Sequence, residues 1–176
     1  MIRVALSDPA TVEADALLRS VGTDLEACTP LEQRLGMEAG AEILERLRGF
    51  GEVPIGAALV TPGGGLRASF LIHVVIRSGE EAISEPGIRR AFLNGLRQAA
   101  EWGLGTLVVL PLGVGAGNLQ AEASARIMLQ VLREHMAETG QPRDVIIPVS
   151  TEYEEDTFLR EVARVFPDET TDEGAK

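Results

Sequence analysis

The stretch Thr106-Leu107-Val108-Val109-Leu110-Pro111-Leu112-Gly113-Val114-Gly115-Ala116-Gly117-Asn118-Leu119 decides the architecture. An uninterrupted apolar run from Thr106 to Leu110 belongs to a strand covered on both faces. Three glycines at alternate positions follow it, and residues 120–138 then read as a long amphipathic helix with Ile127, Met128, Val131, Leu132 and Met136 inward. Glycine lets the backbone take positive φ and lets a ligand approach the main chain. The helix start adds unpaired N–H groups and the positive end of a dipole. Two readings stay open for 113–118: a phosphate-binding turn, or close strand–helix packing that needs no ligand. It is not a Walker motif, because no Gly-Lys-Ser/Thr follows, and it comes too late in the chain for a dinucleotide-fold fingerprint.

Working outward, Ile2–Leu6 is an apolar run closed by Ser7-Asp8-Pro9, and Ala16 to Val21 is a second strand closed by Gly22. Thr29-Pro30 supplies a helix cap and first-turn proline. The stripe Leu31, Leu35, Ile43, Leu44, Leu47 continues that helix past Gly36 and Gly40 to Gly49 and Gly51. Ile55–Val60 and Phe70–Ile76, joined by Thr61-Pro62-Gly63-Gly64-Gly65, predict an antiparallel pair. Ser84 begins a helix with Ile88, Phe92, Leu96, Ala99 and Trp102 on one face, stopped by Gly103 and Gly105. Val145–Val149 is the last strand, with Pro148 suggesting an end near a sheet edge. A helix over 153–166 carries Phe158, Val162 and Val165 inward.

Strands alternating with helices, plus one hairpin, predict a single α/β domain over 1–166, with a mixed sheet between helices and a polar, acidic, frayed tail over 167–176. A chain of 176 residues can bury roughly 70% of its unfolded surface, so no staple is needed. The lone Cys28 excludes an internal disulfide framework and fits a reducing compartment; a buried inert thiol is the expectation. The net charge of −11 argues against nonspecific nucleic-acid binding but not against one phosphorylated ligand held by backbone N–H groups. No segment reaches ~18 consecutive apolar residues, and the N-terminus lacks signal-peptide regions, so a cytoplasmic location is expected. No His, Cys or carboxylate set has metal-ligand spacing, and no cofactor is indicated.

The glycine turn resembles the phosphate-binding turn of macro domains, and the likeness extends further. Gly56-Ala57-Ala58-Leu59-Val60-Thr61-Pro62-Gly63 with Phe70-Leu71-Ile72-His73-Val74-Val75 looks like that family's central strand pair. Ile88 to Leu96, Glu122 to Arg126 and Asp144 to Phe166 are similar in order and spacing. The resemblance implies a three-layer α/β/α sandwich with a cleft for ADP-ribose. In it, Gly113, Val114, Gly115, Ala116, Gly117 and Asn118 would wrap the distal phosphate and ribose, Asp8 would read adenine, and Tyr153 would stack on it. The competing role for Asp8 is a turn carboxylate before Pro9.

The first third departs from the family. Arg19-Ser20-Val21-Gly22 stands where macro-domain hydrolases carry an asparagine-rich turn. Leu35-Gly36-Met37-Glu38-Ala39-Gly40 stands for the second glycine-rich loop, where the Glu38 carboxylate would oppose a diphosphate by ~4 kcal/mol at 4 Å and an effective dielectric of 20, unless it faces solvent. Three functions follow: an ADP-ribose or adenine-nucleotide binding module without strong catalysis, a fold that has lost this ligand and serves protein interaction or another ligand, or an ADP-ribosyl hydrolase. His73 reads as a satisfied core histidine, and His135 as a cation complementing its helix C-terminus.

Overall fold

The computed structural model describes residues 1–115 and 119–168. Ala116, Gly117, Asn118 and 169–176 lie outside the described residues. Strands β1 (Ile2–Leu6), β2 (Ala14–Gly22), β3 (Ala58–Pro62), β4 (Ala68–Arg77), β5 (Thr106–Val109) and β6 (Asp144–Val149) form one sheet in the order β1-β6-β5-β2-β4-β3. All pairings are parallel except β3 against β4. Helices α1 (Pro30–Ala39) and α2 (Ala41–Arg48) cover one face; α3 (Glu85–Glu101), α4 (Ala121–Thr139) and α5 (Glu152–Val165) cover the other. The expected three-layer α/β/α sandwich with a mixed central sheet is what the chain forms.

The period of two along β2 sorts the layers. Ala16 and Leu18 pack with Ile72, Phe92, Leu107, Met128 and Phe158, whereas Leu17 packs with Leu35, Ile43, Leu71 and Val108. Asp15 fixes β5 beside β2: its Oδ2 accepts hydrogen bonds from the N–H groups of Gly105 and Thr106 at 2.8 and 2.9 Å. Thr29, Ser84 and Thr151 cap α1, α3 and α5 through their hydroxyls.

Several expectations are corrected. The single helix over 30–48 is two, because Gly40 takes φ 115° between α1 and α2. Trp102 is not inward; it terminates α3, is 55% exposed and meets Phe70 edge to face at 5.3 Å. Pro148 lies on an interior strand, opposite Ala5 of β1, beyond the last residue of β6 that pairs with β5. Its missing donor therefore breaks no described ladder bond to β5. Met136 is only half-buried, while His135 one residue earlier turns inward.

Gly95 is where α3 comes closest to the sheet. A Cβ there would stand 2.8 Å from Leu18 Cδ1 and 2.9 Å from Val74 Cγ1, both in the core. Gly95→Ala is expected to lower unfolding free energy by about 1–2 kcal/mol, overpacking outweighing alanine's helix propensity. Urea denaturation measures it; an unchanged or raised midpoint would show that α3 is free to move away.

Candidate functional site

Parallel sheets gather functional groups at the carboxyl ends of their strands. Here a shallow groove of about 50 Å³ lies at those ends, lined by Thr29, Leu31, Glu32, Leu110, Pro111, Val114, Pro148, Ser150 and Glu154. One wall is the turn after β5; the other is the first turn of α1. Gly113 and Gly115 both take positive φ, 83° and 76°. Their surroundings differ. A Cβ on Gly113 would sit 2.9 Å from Leu119 Cδ2 and 3.1 Å from Ile88 Cδ1, so packing alone accounts for this glycine. Among the described residues, a Cβ on Gly115 would meet Thr29 Cγ2 alone, at 3.7 Å. Gly115 is thus at the mouth of the groove, with only its φ to require a glycine.

The groove's second wall is not the segment expected. Leu35 to Ala39 form the last turns of α1, with Gly40 as its cap, and Glu38 is ion-paired on the helix surface with Arg34 at 2.7 Å. Two carboxylates border the groove, Glu154 of α5 and, on the α1 wall, Glu32, three residues after Thr29 in the capping sequence Thr29-Pro30-Leu31-Glu32. Glu32 is buried. Its Oε1 accepts bonds from the Ser20 N–H at 2.8 Å and the Ser20 hydroxyl at 2.6 Å, and Thr29 Oγ1 donates to Oε2 at 3.2 Å. Burial raises its pKa, against the lowering effect of these donors. The cap spacing was a legible signal for this residue; its contact with Ser20 on β2 was not.

Of the expected ligand-binding residues, Val114 lines the groove, Gly113 and Gly115 form the turn, and Ala116, Gly117 and Asn118 lie outside the described residues. Asp8 does not line it. Asp8 Oδ1 caps a short 3-10 turn through Ala10 N–H at 3.1 Å, and the Arg34 guanidinium grips the carboxylate at 2.8 and 3.3 Å. This pairing, with the Ala10 bond, holds the Asp8 carboxyl below its usual range. Tyr153 lies outside the lining too: it is exposed on the first turn of α5, its hydroxyl donating to Glu122 of α4. Glu154 accepts a bond from Ser150 N–H at 2.8 Å. Cys28 is buried, and burial pushes its thiol pKa up, away from the thiolate a nucleophile needs. No cluster suited to a metal exists among the described residues.

Beside the groove runs a buried polar ladder across three strands. Arg19 of β2 is 1% exposed, lies opposite His73 of β4, and donates from Nε to His73 Nδ1 at 3.1 Å. Since a guanidinium only donates, Nδ1 accepts and the imidazole proton sits on Nε2. Nε2 is 2.8 Å from Thr61 Oγ1, whose own proton goes to Pro62 O at 3.2 Å. Arg19 Nη1 donates to Glu32 O at 2.7 Å, and a Cβ on Gly36 would lie 2.7 Å from Nη1. Glycine at 36 lets α1 pass directly over the guanidinium. His73 is the satisfied core histidine expected. His135 is instead a correction: it is 3% exposed, burial lowers its pKa, and its Nε2 has no partner, so it is not a surface cation at a helix end.

Burial, reinforced by the Arg19 charge, holds the His73 pKa well below normal. The neutral form is therefore favoured by folding. This stability is present above the ordinary imidazole value of about 6.5 and is lost as pH falls through it, by up to about 1.4 kcal/mol per pH unit for one histidine. Relative to a His73→Gln variant, the wild type should lose unfolding free energy with that limiting slope below pH 6.5. In imidazole NMR, His73 should remain the neutral Nε2–H tautomer as pH falls below 6.5. Titration of His73 near pH 6.5 would overturn the assignment.

The family model of the macro domain matches residues 25–128. An uncharacterized protein of Saccharolobus solfataricus is 30% identical over 156 residues, covering 86% of this chain and 86% of its own. An O-acetyl-ADP-ribose deacetylase of Enterobacter is 27% identical over 150 residues, covering 82% and 83%. Among solved structures, the Oceanobacillus iheyensis macrodomain with ADP superposes with a TM-score of 0.83 at 16% identity, covering 94% of this chain and 91% of that one. With the sheet order, the layers and the glycine turn already in place, the chain belongs to the macro domain family.

Proposed function

We propose that this macro domain binds ADP-ribose or a related adenine nucleotide at the groove between the 113–118 turn and α1, without hydrolysing it. The observation that carries this reading is Gly115: a positive-φ glycine that no close packing among the described residues accounts for, facing the N-terminal turn of α1 across the groove. Two helix starts line the site, that of α1, capped by Thr29, and that of α5, through Ser150 and Glu154. Backbone N–H groups and helix dipoles there favour a phosphate despite the acidic protein.

Lack of hydrolysis follows from how the carboxylates are held. Glu32 is engaged by Ser20 and Thr29, Glu154 by Ser150, and Asp8 by Arg34. Each is already engaged, which works against its activating a water. The adenine role of Asp8 requires Arg34 to turn away, at a cost of about 0–1 kcal/mol for an exposed ion pair.

One observation favours a second reading, in which the nucleotide has been lost and the fold serves protein interaction or another ligand. The groove holds about 50 Å³ against the ~300–1,000 Å³ usual for small-molecule sites. Nucleotide binding therefore requires Thr29 and Gly115 to part.

Calorimetric titration with ADP-ribose separates the readings. Saturable heat, with affinity reduced about tenfold or more in Asp8→Ala, is expected for loss of a charge-assisted hydrogen bond. No heat and no thermal shift at millimolar ligand would leave the second reading. Incubation with a mono-ADP-ribosylated protein should leave the label in place; its release would make the chain a hydrolase.

A further inference from the structure

A cavity of about 150 Å³, separate from the groove and sharing no lining residue with it, opens between the 24–27 turn, α1 and α2. Its walls include Leu25, Met37, Leu44 and Leu47, together with Arg19. Arg19 is the unusual member. It is a buried cation with no carboxylate within ion-pair distance among the described residues, and its bonds use only Nε and Nη1. Its Nη2 meets no acceptor among the described residues and is not sealed from solvent, Arg19 being part of the cavity wall. Burial works against its charge, and the Glu32 and Glu26 carboxylates offset this only from beyond ion-pair distance; a guanidinium edge presents the paired donors that match a carboxylate.

The rim decides the ligand's charge. Asp24 and Glu26 are exposed there, Asp24 Oδ1 being occupied by the Glu26 N–H at 3.0 Å, while Arg48 and Gln33 complete the mouth. Two carboxylates disfavour a dianion such as phosphate more than a monoanion. The leucine and methionine walls ask for an apolar body, and a volume near 150 Å³ is that of a cavity holding a single benzene-sized group.

We propose that this cavity is a binding site for a small monocarboxylate with an apolar body, its carboxylate on the Arg19 guanidinium and its body against Leu25, Met37, Leu44 and Leu47. The site does not depend on nucleotide binding in the groove.

The test uses the whole chain with acetate, butyrate, benzoate and inorganic phosphate, followed by backbone NMR shifts and thermal shift at constant ionic strength. Butyrate and benzoate should bind saturably, each more tightly than acetate and phosphate, with shifts at residues 24–27, 33, 37, 44 and 47. Arg19→Met should abolish binding. Met37→Glu, at an exposed position that leaves the core intact, should weaken it about fivefold through like charge. Four results would overturn the proposal: no saturable binding by any probe, phosphate binding as tightly as benzoate, affinity unchanged in Met37→Glu, or affinity unchanged in a folded Arg19→Met. Binding that is unaffected by saturating ADP-ribose is expected, and competition between the two would place the carboxylate in the groove instead.

Discussion

The fold is organised around one costly choice, a guanidinium buried at the centre of the sheet. Arg19 sits on β2, between β5 and β4, in a layer otherwise filled by Leu17, Leu35, Leu71 and Val108. An arginine in such a place must be bonded by whatever surrounds it. His73 answers from the adjacent strand as a neutral acceptor, Thr61 fixes the imidazole tautomer from the strand beyond, and the Glu32 carbonyl reaches down from α1. Gly36 then allows α1 to lie on top. The same few residues hold α1 in register with β2, and the position of α1 determines where the groove's wall stands.

That coupling explains why the groove is narrow. Glu32 binds Ser20 through its carboxylate and Arg19 through its carbonyl, so the first turn of α1 is tied at both ends to β2. Thr29 is thereby brought against Gly115. The buried bonds make α1 the fixed wall of the groove.

Most of the architecture was legible because it rests on local signals. The Thr106–Leu110 run, the 120–138 stripe and the hairpin around 61–65 each carry their own periodicity, and the structure places them as read. What was missed is non-local. The apolar stripe from Leu31 to Leu47 stays in phase across Gly40, so periodicity could not show the break that a φ of 115° makes. Glu38 looked like the carboxylate that mattered because it lay among glycines in sequence. Glu32 is the one that matters, through a contact with Ser20 that no spacing encodes. Likewise His135 sits near a helix end in sequence, yet the face it occupies turns it inward.

The departure at residues 19–22 has two consequences that point in different directions. A chain that replaces short neutral side chains with arginine on a central strand loses polar groups at the strand's end, where chemistry on a bound nucleotide would occur. It also gains a cation that the interior must hold. Its direct bonds go to a neutral imidazole and a backbone carbonyl, and the nearby carboxylates of Glu32 and Glu26 act on it only at a distance. The electrostatic demand left behind falls on the far side of α1 from the groove, where the wall is apolar and the volume is small. A protein that had only lost a function would be expected to fill that position with leucine, as the rest of the layer does. Here a histidine, a threonine and a glycine are instead arranged to suit an arginine, so the layer is built around its charge.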